Sequence, residues 1–148
     1  MEPRKVANVS AALFAAVAAL LPIVVVRAPR ADLHLEVALN EEQRERGLMG
    51  RDRLPPHTGM LFVFGGDGPV DFWMKDTLVP LDMIFIAGDG TVRRVYAAVP
   101  VVPATLSDDA IPRESGSAKY VIELPAGESA NDGIAPGIKL DIHNVPGS

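Results

Sequence analysis

Residues 59–86 read GMLFVFGGDGPVDFWMKDTLVPLDMIFI. Gly59 to Phe64 is a nearly continuous apolar run, Val70 to Lys75 alternates apolar and polar side chains, and Leu81 to Ile86 is apolar on both faces except at Asp82. Short runs of this composition, punctuated by glycine and proline, are strands rather than helices. The Gly65-Gly-Asp-Gly-Pro69 segment predicts a turn that makes 59–64 and 70–75 the arms of a hairpin. Leu81 to Ile86, which needs cover on both sides, is expected at the centre of the sheet.

Working outward, Leu33, Leu35, Val37 and Leu39 alternate with Asp32, His34, Glu36 and Ala38, the period of another half-buried strand. Asn40 follows as an N-cap with Gln43 three residues on and Glu41 and Glu42 in the first turn, predicting a helix over Glu41 to Met49. Gly50 is placed as its left-handed C-terminal residue, and Gly47 as a point of close approach. Downstream, Gly88-Asp-Gly90 turns the chain into a strand at Thr91 to Tyr96. Residues 97–118, with Pro100, Pro103 and Pro112, read as a long loop that could cover a site. Strands at Lys119 to Leu124 and Ile138 to Ile142, with a helical turn near Ser129 to Asp132, complete the pattern. The expected fold is α+β and mainly β, a small antiparallel barrel-like or sandwich domain over 32–148 with one short helix. Parallel pairing is not expected, for want of crossover helices.

Residues 1–31 differ from the rest. Val6 to Val26 carries no charge and is bounded by Arg4, Lys5, Arg27 and Arg30. About 20 such residues span a bilayer, so the segment is expected to be a signal anchor holding the domain outside the cytoplasm, on the inner membrane. If it is instead a cleaved leader, the domain is released to the periplasm; the small-x-small site Val26-Arg-Ala28 is obstructed by Pro29. Of the 14 Lys/Arg and 19 Asp/Glu in the chain, residues 1–31 hold four basic and one acidic, so 32–148 carries net charge −8. So acidic a domain is a poor match for nucleic acid. Cysteine is absent, which excludes disulfides and thiolate chemistry.

Several motifs occur in order: Arg46-Gly-Leu-Met-Gly-Arg51, Gly59 to Phe64, Phe72-Trp-Met-Lys-Asp-Thr77, Pro80 to Ile86, and Tyr120-Val-Ile-Glu-Leu124 with Gly127. Together, over about residues 33 to 142, they resemble the domain of unknown function 192 family. The resemblance implies a compact, mainly β prokaryotic domain, often behind a signal or anchor, with no established activity.

The Phe72-Trp-Met-Lys-Asp-Thr77 segment is the most suggestive chemically. Alternation puts Val70, Phe72 and Met74 on one face and Asp71, Trp73 and Lys75 on the other. The only tryptophan therefore stands between an acid and a base, an arrangement suited to a sugar ring or a cation, with Arg46 and Arg51 as further ligand-binding candidates. The competing reading is that the 97–118 loop packs over Trp73 as a second small core. Lys75, Asp76 and Asp82 could perform acid-base work or hold a hard cation, but an Asp such as Asp82, on the face of Ile84 and Ile86, is more often a buried anchor that hydrogen-bonds a turn. Met49, Met60, Met74 and Met83 could in principle bind copper(I), yet core packing explains them more cheaply. His34, His57 and His143 lack metal-ligand spacing, so no metal or other cofactor is expected. Three functions follow: a noncatalytic envelope module binding a small ligand or glycan, a small hydrolase or lyase using the paired carboxylates, or a structural partner of another envelope protein.

Overall fold

The structure is a computed structural model and describes residues 21–142 and 144–147. Its strands are β1 (Ile23–Arg27), β2 (Asp32–Ala38), β3 (Thr58–Phe72), β4 (Leu81–Ile86), β5 (Val92–Val99) and β6 (Glu114–Pro125), and they form one sheet in the order β1-β2-β3-β6-β4-β5. Two short helices, α1 (Glu41–Arg46) and α2 (Glu128–Asn131), accompany them. The fold is α+β and mainly β. The sheet is open, with β1 and β5 as its edges, rather than closed into a barrel.

The expected hairpin at 59–75 is instead one strand. β3 pairs antiparallel with β6 from Met60↔Glu123 to Phe72↔Glu114, and the register shifts between Val63 and Gly68. The glycines therefore make a bulge, not a reversal. Its tip is tied down: Arg93 and the Gly88 amide donate to the Asp67 carboxylate, and the Arg93 guanidinium holds that carboxyl below its usual range. Because β6 starts at Glu114, not Lys119, it is long enough to pair with both halves of β3, and the preceding loop is shorter than expected.

A second difference is the parallel pair β2/β3, in register from His34↔Thr58 to Ala38↔Phe62. The crossover is residues 39–57, which contain α1, and a dozen or more residues suffice for it. α1 begins as expected: the Gln43 amide donates to the Asn40 side chain at 2.8 Å, and the Gln43 side chain accepts from the Asn40 amide. It ends at Arg46, earlier than Met49, because Gly47 turns to φ 47°, and a Cβ there would lie 3.3 Å from the Phe62 ring. Gly50 takes the expected left-handed conformation, φ 76°.

Both faces of the sheet are covered, as the doubly apolar β4 requires. One face packs Leu33, Leu35, Leu61, Ile84 and Ile122 against Ile134, Leu140 and Ile142. The opposite face packs Met60, Phe62, Phe72, Met83, Phe85 and Val121 against Leu48 and Met74. Residues 138–142, expected as a strand, form only an isolated bridge between Lys139 and Thr91 and serve as cover.

The sheet also reaches further toward the N-terminus than the boundary at Asp32. Ile23 to Val26, the end of the uncharged run, pair antiparallel with β2, and Val26 is buried. Residues 6–20 of that run lie outside the described residues. No helix among the described residues is long and apolar enough to cross a membrane.

Candidate functional site

The antiparallel register of β3 and β6 ends at Phe72↔Glu114, and Trp73 and Arg113 are the residues adjoining that last pair on the two chains. The Arg113 guanidinium lies over the indole, 3.8 Å from the ring centroid, and Lys75 Nζ stands 5.2 Å away. Trp73 is half-buried, between Phe72 and Met74, which are both buried. Burial thus alternates along this segment, but the strand itself ends at Phe72, and Phe72 lines the same groove as Trp73.

Trp73 and Arg113 line a groove of about 450 Å³ between the sheet and the α1 segment. Asp71, Arg46, Phe62 and Glu123 also line it. Glu123 is the residue that sequence reasoning passed over. It is 4% exposed and lies on the Met60/Phe62 face, with Met60 and Met83 as its cross-strand neighbours. Burial pushes its carboxyl up to about 8. A carboxylic acid at the wall of a groove, neutral near pH 7, can both donate and accept. The signal was present in Tyr120-Val-Ile-Glu-Leu124: in a strand covered on both faces, an acidic residue has no solvent side to point to.

The other predicted residues divide. Lys75, Asp76, Arg46 and Trp73 line an adjoining concavity of about 690 Å³, so Trp73 forms a wall of both. Lys75 is paired with Asp108 at 2.8 Å, and Asp71 accepts from Ser115 Oγ. Arg51 lines neither concavity and makes a two-point ion pair with Glu36, 2.8 and 3.0 Å. Asp82 is fully buried, lines neither concavity, and accepts from the amides of Ala98, Gly127 and Ser129 and from Ser129 Oγ. The structure thus does not bring Asp76 and Asp82 together as a carboxylate pair. Asp82 is a structural anchor that holds the β5 bulge at Ala98 and the turn entering α2. Met60, Met74 and Met83 are buried in the core.

An open mixed sheet covered on both faces, with a polar groove beside its α1 crossover, defines a small α+β domain class. The chain belongs to the DUF192 family, described as Uncharacterized ACR, which matches residues 24–142. Two solved structures are similar. A protein from Sinorhizobium meliloti 1021, described as a candidate transcription regulator, shares 40% identity over 82% of this chain and 94% of that one, with a TM-score of 0.71. A protein of unknown function from Novosphingobium aromaticivorans DSM 12444 shares 29% identity over 82% of this chain and 86% of that one, with a TM-score of 0.70. Comparison with curated proteins returned no match.

Proposed function

We propose that this domain is a noncatalytic envelope module that binds a small polar ligand, a sugar or glycan end being the class that fits. The observation that carries the reading is the Glu123 carboxyl, buried in the wall of the Trp73 groove and held toward its neutral form by that burial. A sugar hydroxyl can both accept from and donate to a neutral carboxyl, while Trp73 and Arg113 offer a ring and a guanidinium at the rim.

Trp73 is the only tryptophan, so its fluorescence reports on this groove. Titration with a panel of neutral and acidic mono- and disaccharides should change the emission. Trp73→Ala should weaken binding by about 1–3 kcal/mol with a stability loss under about 2 kcal/mol, because the indole is half-buried. Glu123→Gln, which keeps a donor and an acceptor, should still bind. No response to any sugar by fluorescence or calorimetry, or a stability loss of about 3–5 kcal/mol on Trp73→Ala, would favour a purely structural Trp73.

The envelope assignment rests on the uncharged run at residues 6–22 ahead of β1. Cleavage near Ala28 would cut off β1, leaving β2 as a new unpaired edge. Retention of the segment, or cleavage ahead of Ile23, is therefore the outcome consistent with the fold. The intact mass of protein from native membranes decides it: a mature N-terminus at Ala28 or Asp32 would reject retention of the segment.

A further inference from the structure

At the end of the sheet away from the bulge, His57 immediately precedes β3 and Glu128 and Asp132 bracket α2. Their positions are fixed by backbone contacts: the His34 amide donates to the His57 carbonyl at 2.8 Å, the Asp132 amide donates to the Glu128 carbonyl at 2.8 Å, and Asp82 holds the amides on either side of Glu128. The three side chains converge. His57 Nδ1 is 3.1 Å from Asp132 Oδ2 and 3.4 Å from Glu128 Oε2, and the three ligand atoms all lie within 4.8 Å of one another.

One proton cannot satisfy this group. Nδ1–H has one hydrogen to give, and Asp132 Oδ2 is its nearer acceptor. Glu128, only 8% exposed, is then left with Oε2 buried, aimed at the same point and accepting no hydrogen bond. We propose that His57, Glu128 and Asp132 form a binding site for a divalent transition-metal cation, with Zn²⁺ the best match. Metal–ligand bonds of about 2.0–2.2 Å at tetrahedral or octahedral angles place donor atoms about 2.8–3.6 Å apart, which both measured separations satisfy. A nitrogen donor with two carboxylates selects a transition metal over Mg²⁺ or Ca²⁺, which favour all-oxygen sites. The His57 side chain is 44% exposed, so the remaining coordination positions open to water. The spacing of these residues in sequence, 57 against 128 and 132, carries no ligand motif, and only the fold juxtaposes them.

The test uses the full chain, freed of metal with a chelator and titrated with Zn²⁺ at pH 7 by calorimetry and thermal unfolding. Zn²⁺ should bind at one site per chain and raise the melting temperature in proportion to the logarithm of its concentration above saturation, while Mg²⁺ should not. Co²⁺ should give visible absorption bands of an ordered low-symmetry site. Glu128→Gln and His57→Gln should each weaken Zn²⁺ binding by roughly tenfold or more, and the exposure of His57 makes that variant safe for folding. Absence of Zn²⁺ binding to the parent, or unchanged binding in both variants, would overturn the proposal. So would an imidazolium signal for His57 that persists under excess Zn²⁺, since the cluster would then be an ion-pair group alone.

Discussion

Glu123→Gln should stabilise the protein relative to the parent as the pH rises, with the two urea-unfolding free energies diverging between about pH 5 and 8. The carboxyl is raised from 4.5 to about 8 by burial, so the folded state prefers the neutral acid. Stability from this group is fully present below the unfolded value, falls as pH climbs through the interval, and levels off above the folded value. The unfolded chain releases the proton first, and that release is what favours unfolding. A shift of this size corresponds to about 4–5 kcal/mol between pH 4 and 9. Glutamine has no proton to lose, so the variant lacks this slope. Measuring both proteins at pH 5, 7 and 9 cancels the other titrating groups. Parallel profiles would mean that Glu123 ionises in the folded protein without penalty, and the groove would then present an anion.

The second large effect is expected at Asp82→Asn, a change of almost no volume. Oδ1 accepts from the Ala98 and Gly127 amides, and Oδ2 from the Gly127 and Ser129 amides and the Ser129 hydroxyl. Either orientation of an asparagine side chain turns its NH₂ group into a set of donors, leaving buried N–H groups facing N–H. The cost should be roughly 3–5 kcal/mol by urea unfolding, since each buried donor left without an acceptor costs about 1–3 kcal/mol and has no water to turn to. Part of that loss reflects Ala98, which is held at φ 51° in the β5 bulge with its amide on Asp82. A loss under about 1 kcal/mol would show that the anchor is dispensable.

These two carboxyl groups show why the candidate site was only half legible. Asp82 and Glu123 both interrupt apolar strands, and nothing local distinguishes them. Asp82 meets the amides of residues 127 and 129, which arrive from beyond β6, and it becomes a structural anchor. Glu123 faces a groove beside α1, and burial there makes it a raised acid. The difference lies entirely in which distant backbone reaches each position.

Local chemistry determined a good deal on its own. The strands at 32–38 and 81–86, the Asn40–Gln43 capping box and the left-handed Gly50 all depend on neighbours within a few residues, whose sterics and hydrogen bonds recur wherever that pattern is written. Only the tertiary structure decided that Gly65 to Pro69 bulges rather than turns, that β2 and β3 run parallel, that Arg113 covers Trp73 while Arg51 pairs with Glu36, and that His57 meets Glu128 and Asp132. Each of these depends on a partner fifteen or more residues away in sequence. A glycine-rich segment can bend either way until a strand of the right length lies beside it, and a side chain acquires its function from the donors and charges that the fold brings to its face.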